Sequence, residues 1–214
     1  MPHSSHLATT QLMEHVVRLR PERVLDVGVG YGKWGFLIRE ALDFMEGRHE
    51  PGEWRTRIDG IDAHPYESPL HAWVYDDIRV ADALDVLDEL AGYDVVVLGD
   101  VIEHFEKDDG LRLLRALSGR NRNVLVTTPL HFFEQELPGA PYETHRSHWT
   151  REDFAEWPHD YDVVGGSAIV VALAGAGATV PTRADTRASA FAYRLLPKRG
   201  AAARVVKEAV RRVV

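Results

Sequence analysis

Val24-Leu25-Asp26-Val27-Gly28-Val29-Gly30-Tyr31-Gly32-Lys33-Trp34-Gly35 decides how this chain folds. Its first residues read as a buried strand carrying one acid, and glycines at alternate positions follow. Glycine lets the backbone take positive φ and lets a ligand approach with no Cβ in the way. Beyond the loop, Phe36, Leu37, Ile38, Ala41, Leu42 and Phe44 recur at helical spacing. A helix beginning there offers unpaired N–H groups and the positive end of its dipole to an electron-rich ligand. Strand, glycine loop and helix together predict a cradle for a nucleotide-type cofactor.

Spacing narrows the cofactor. A dinucleotide fingerprint needs G-x-G-x-x-G, with a further acid about 20 residues on. Counted from Gly28 and Gly30, its third glycine falls on Lys33. The pattern is instead D-x-G-x-G-x-G, from Asp26 to Gly32, and it resembles motif I of the class I S-adenosylmethionine (SAM) methyltransferases. Further stretches resemble that family's cofactor-facing segments in the family's order. Residues 57–63 read as a second strand ending in Asp62 and Ala63; the resemblance implies that Asp62 holds the ribose diol, where a carboxylate makes short paired bonds. Residues 78–84 resemble the adenine-reading segment, with Asp82 facing the exocyclic amine and the Ala83 N–H a ring nitrogen. Residues 93–104 resemble the fourth-strand motif, placing Asp100 and Val101 at the cofactor, and their apolar run suits a strand buried on both faces. Residues 123–129 resemble the fifth strand. The resemblance implies an α/β, Rossmann-like fold: a seven-stranded, mostly parallel sheet with helices on both faces and an antiparallel closing strand.

The remaining segments fit that frame. Residues 10–19 predict a helix ahead of the first strand, stopped before Pro21, which either lids the pocket or packs. Short helices are expected over 84–90 and 111–117, and Thr150 with Asp153 reads as a capping box opening one over 152–156. Residues 161–164 and 168–174, joined by Gly165-Gly166-Ser167, predict the closing hairpin. Two regions are expected: a methyltransferase domain over 1–175, then a linker and a basic amphipathic helix over 176–214.

Composition sets bounds. With 214 residues, 45% hydrophobic and 27% charged, the chain can bury one sizeable core. It has no cysteine, which suits a reducing compartment, and neither a signal peptide nor an apolar run of spanning length, so a cytoplasmic location is expected. The net charge is −8, yet residues 194–214 carry seven Lys/Arg against one Glu, leaving about −14 on the rest. So acidic a body disfavours nucleic-acid substrates, whose phosphates attract Lys and Arg. The basic helix over 201–214 offers a surface for docking on its own domain, for a homodimer or for membrane contact.

Methyl transfer chiefly requires alignment of the acceptor and, for a hydroxyl, removal of its proton. Two clusters could do this: Asp100, Glu103 and His104 after the fourth strand, and Tyr142-Glu143-Thr144-His145-Arg146-Ser147-His148-Trp149-Thr150 beyond the fifth. In one reading His145 or His148 is a general base of near-neutral pKa, oriented by Glu103 or Asp100. In a second, Asp100, Glu103, His104 and one of His145 and His148 hold Mg²⁺ or Mn²⁺. That set resembles the metal site of the small-RNA terminal 2′-O-methyltransferases, which has Glu where this chain has Asp100. In the third, Glu103 and His104 are structural. His131, Phe132 and Phe133 either line the acceptor pocket or pack ordinarily, Tyr31 and Trp34 border the methionine end of SAM or belong to the core, and His64 and His71 lie beside adenine or on a surface loop. Residues 32–37, 99–105 and 145–150 together resemble a small bacterial methyltransferase group, the resemblance covering about residues 10–175. That group includes actinobacterial sugar O-methyltransferases of methylmannose polysaccharide biosynthesis. It implies a small-molecule or oligosaccharide acceptor. The alternatives are O- or N-methylation of a secondary metabolite, or a catalytically silent SAM-binding partner protein.

Overall fold

The computed structural model describes residues 5–135 and 141–180. The expected basic helix over 201–214, and most of the linker before it, lie outside the described residues. Seven strands form one sheet: β1 (Arg23–Val27), β2 (Arg57–Asp62), β3 (Asp77–Val80), β4 (Val95–Gly99), β5 (Asn123–Pro129), β6 (His159–Val164) and β7 (Ala168–Ala174). Their spatial order is β3-β2-β1-β4-β5-β7-β6. The first five run parallel, whereas β7 pairs antiparallel with β5 and with β6, closing the sheet as the sequence predicts.

Every residue of β4 is buried because both faces of the sheet are covered. Val96 and Leu98 pack with Leu113, Leu114 and Leu117 of α4 (Lys107–Arg120). Val95 and Val97 point the other way, to Leu12 and Val16 of α1 (Thr9–Leu19) and to Trp34 and Ile38 of α2 (Lys33–Leu42). A short helix, α3 (His71–Val74), lies between β2 and β3.

Several boundaries differ from the sequence reading. α4 is longer at both ends: Asp108 and Asp109 favour its first turn, and Gly110 sits where Trp149 leaves no room for a Cβ. The helix expected over 84–90 is instead two separate 3-10 turns, Ala83–Asp85 and Leu87–Glu89. The Asp82 carboxylate caps the first through the Leu84 N–H, and Val86, at φ −126° and ψ 21°, breaks the run. The Thr150–Asp153 capping box forms, but it opens a single 3-10 turn, Arg151–Phe154. α2 ends at Leu42, with Phe44 in a turn of its own. α1 is no lid: Leu12 and Val16 are buried in the core, and only the chain ahead of it reaches the cavity described below. Main-chain bonds also continue past 175, from the Gly175 N–H to the Arg122 carbonyl (2.7 Å) and from the Ala176 N–H to that of Ser118 (3.0 Å).

Candidate active site

Connections leave β1 and β4 in opposite directions, opening a crevice at their carboxyl ends, where doubly wound sheets bind ligands. A cavity of about 770 Å³ lies there. Gly28, Gly30, Tyr31, Asp62, Ala63, Asp82, Ala83, Asp100 and Val101 all line it, as do Glu103, His104 and His145. Gly28 adopts φ 80°, and a Cβ there would collide with Val101, so the first loop residue must be glycine on both counts. Asp62 ties the loop from below: Oδ2 accepts from the Gly30 N–H (2.8 Å) and Oδ1 from the His64 N–H (2.9 Å). Burial raises its pKa above the usual carboxylate value in spite of those bonds. His71, on α3, bonds through Nε2 to the Gly30 carbonyl (2.9 Å). It braces the loop from the side, apart from Asp82 and Ala83.

Asp26 and Gly32 do not line the cavity. Asp26 is fully buried and accepts a 2.6 Å hydrogen bond from the Tyr75 hydroxyl. Gly35 makes this pairing possible, since a Cβ at that position would occupy the Tyr75 ring and hydroxyl. Burial pushes the Asp26 carboxyl up to about 7, while the Tyr75 bond and the Gly35 amide pull it down. The motif acid thus supports the loop from within the protein.

Asp100 has left-handed backbone, φ 56°, a conformation that aspartate tolerates better than most residues. Its Oδ2 accepts from the Ser5 N–H (2.7 Å) and its Oδ1 from the Thr127 hydroxyl (3.1 Å). Lys33 reaches the Ser5 carbonyl (3.1 Å), so the segment ahead of α1 is fastened at the crevice. Lys33 also stands 4.5 Å over the Trp34 ring.

The acceptor-side segment is fastened to the turn after β4 largely through main-chain carbonyls. The Glu103 carbonyl accepts from the N–H groups of Arg146 (2.7 Å) and Ser147 (3.1 Å). The Ile102 carbonyl accepts from the Ser147 hydroxyl (3.3 Å) and the Trp149 indole (3.2 Å). This separates the two histidines of the segment. His148 bonds through Nε2 to the Leu130 carbonyl (2.9 Å) and lies outside the cavity, whereas His145 faces into it.

Glu103, His104 and His145 come together, each offering a donor atom within 4.8 Å of the others. A carbonyl can only accept, so Nδ1 carries the proton where His145 meets the Phe133 carbonyl (3.1 Å) and His104 meets that of Thr144 (3.2 Å). The lone pair of each neutral ring is then on Nε2. Burial lowers both imidazole pKa values. Glu103 is 3% exposed, its Oε2 has no hydrogen-bond partner among the described residues, and burial together with the Asp100 charge holds it well above the usual carboxylate range. Two sequence expectations are corrected here. Asp100 is outside this donor cluster, and its oxygens accept from Ser5 and Thr127. The His145 ring is oriented by the Phe133 carbonyl, with Asp100 acting on it only through charge.

Of the weaker sequence candidates, Tyr31, Trp34 and Phe133 line the cavity, and His64, His71, His131 and Phe132 do not. Sequence reasoning missed Ser5, Tyr66 and Gln135 altogether, and it named Glu143 only as part of its segment. Tyr66 follows Asp62 closely in sequence, which is a usable signal; nothing in the spacing marks Ser5 or Gln135.

A family model described as "Methyltransferase domain" matches residues 6–164. The chain belongs to this family. With the glycine cradle it is a class I SAM-dependent methyltransferase. Solved structures share the methyltransferase's fold at low identity. The N-terminal domain of EvdMO1 with SAH bound is 15% identical at a TM-score of 0.54, with 81% of this chain covered and 83% of that one. An O-methyltransferase family protein from Burkholderia thailandensis is 14% identical at 0.54, with 80% of this chain covered; the methyltransferase spans 57% of that longer protein. The methyltransferase domain of bacterial CtHen1-CN is 16% identical at 0.52, with 79% of this chain covered and all of that one. Comparison with curated proteins finds no match.

Proposed function

We propose that the methyltransferase moves a methyl group from SAM to a hydroxyl oxygen of a small molecule, foremost a sugar, with His145 taking the hydroxyl proton. SAM supplies an electrophilic methyl carbon when bound. The glycine loop gives it close backbone approach, Asp62 is set to receive the ribose diol, and Asp82 with Ala83 the adenine edge. His145 carries the reading: its Nδ1–H is committed to the Phe133 carbonyl, so its Nε2 lone pair is available within the cavity. Burial lowers its pKa and so keeps it in the basic form at neutral pH. Among the described residues that line the cavity, carboxylates outnumber the cations Lys33 and Arg146, which favours a neutral polyol over a phosphorylated acceptor. Labelled SAM incubated with a panel of mannosides and other glycosides tests the proposal; a labelled sugar supports it, and label found only on amines overturns it.

A second reading has its own support. The buried, unpartnered Glu103 Oε2 beside two imidazoles of fixed tautomer is a donor set that fits a divalent cation. Glu103, His104 and His145 would hold it, and it would supply Lewis-acid polarisation of the acceptor hydroxyl. Mn²⁺ binding measured calorimetrically on the wild type and on Glu103→Gln distinguishes the readings, since a metal site predicts binding that the variant loses. Full turnover after exhaustive chelation would rule the metal out.

A further inference from the structure

One contact joins the two halves of the cavity. Tyr66, in the loop after β2, donates its hydroxyl proton to Glu143 Oε1 at 2.6 Å, across 77 residues of sequence. Glu143 is 9% exposed and Tyr66 is half-buried, so this bond is partly shielded from water. Burial and the Glu143 carboxylate hold the Tyr66 phenol above its ordinary range, which keeps it a donor.

The bond stands in the middle of a continuous chain of contacts. On the cofactor side, Asp62 Oδ1 accepts from the His64 N–H (2.9 Å), and the His64 ring packs on Tyr66 at 4.5 Å between centroids. Tyr31, from the glycine loop, packs on Tyr66 at 5.5 Å. On the acceptor side, the Glu143 carbonyl accepts from the Gln135 side-chain amide (2.7 Å), and the Gln135 carbonyl accepts from the His145 N–H (3.1 Å).

We infer that Tyr66 is a positioning residue: through Glu143 it couples occupation of the cofactor half of the cavity to the ordering of the segment that presents His145. A ligand held by Asp62 steadies the 62–66 loop. The Tyr66–Glu143 bond passes that restraint to Gln135 and His145, so a seated cofactor steadies the base that the acceptor meets. The inference rests on the SAM-dependent reading of the site and adds a coupling between its two halves. Coupling of this kind is a free energy shared between two sites and must show as an effect of one upon the other.

Amide hydrogen exchange, read by mass spectrometry with and without saturating SAH, measures that effect directly. In the wild type SAH slows exchange in both 62–68 and 141–148, by about fivefold or more. In Tyr66→Phe, which removes one oxygen and leaves the ring contacts, SAH still protects 62–68, but its effect on 141–148 falls to about twofold or less. Glu143→Met breaks the same bond from the other side and is expected to give the same pattern. Protection of 141–148 that persists in either variant overturns the inference, as does a wild type whose 141–148 ignores bound SAH. Calorimetry on the same samples keeps the readings apart. A wild type that binds no SAH defeats the SAM reading itself, whereas normal SAH binding without transmitted protection defeats only the coupling.

Discussion

The proposed role of His145 depends on a main-chain atom, the Phe133 carbonyl that accepts the hydrogen bond from its Nδ1–H. His145→Ala is expected to lower kcat by about 10²–10⁴-fold while SAH affinity stays within about threefold, as seen by steady-state kinetics and calorimetry. Because burial lowers the His145 pKa below the ordinary 6.5, activity should rise with pH along a limb lying below 6.5 and then level off. Asp26 predicts a second pH effect, on stability. Its carboxyl holds a proton up to about pH 7 in the folded protein and only to about 3.8 when unfolded. Between those values the folded state binds more protons, so stability falls with rising pH by up to about 1.4 kcal/mol per unit. Urea titrations of Asp26→Asn from pH 4 to 8 should lose this slope and show a gain over the wild type at pH 8.

The turn after β4 and the segment ending at Trp149 stand or fall together. Trp149 is 1% exposed, and its indole bonds the Ile102 carbonyl and the Ser147 hydroxyl (2.8 Å). Trp149→Phe should cost about 1–3 kcal/mol in chemical denaturation, the loss expected for a buried bond. It should also weaken catalysis, since the same segment carries His145. The strands were legible in the sequence because burial on both faces leaves an unbroken apolar run, as in Val95-Val96-Val97-Leu98. The short helices were less so: residues 84–90 have helical spacing, but an Asp82 cap and the Val86 conformation split them into two turns. Within the site, residues at or just past strand ends, such as Asp62 and Asp82, were readable through the resemblance to the family's motifs. The pairing of Tyr66 with Glu143 and of Ser5 with Asp100 was not, because segments far apart in sequence bring them together and no local periodicity reports that. The same blindness hid the inward turn of Asp26, which depends on a tyrosine 49 residues away.

The crevice binds its cofactor in the folded state only, so ligand must stabilise the entire domain. At 100 times its Kd, SAH should add about 2.7 kcal/mol and raise Tm by roughly 5–10 °C in a thermal melt, whereas NAD should leave it unmoved. No helix among the described residues is long and apolar enough to cross a membrane. The carbonyls of Ile102 and Glu103 hold the acceptor-side segment in register, helped by Ser147 and Trp149, and none of these atoms belongs to the side chains of Glu103, His104 or His145. That frame rests mostly on main-chain atoms, with the His104 and His145 rings adding their bonds to the Thr144 and Phe133 carbonyls. A library randomised at Glu103, His104 and His145 should therefore keep a larger share of folded proteins than of active ones, parting loss of turnover from loss of fold.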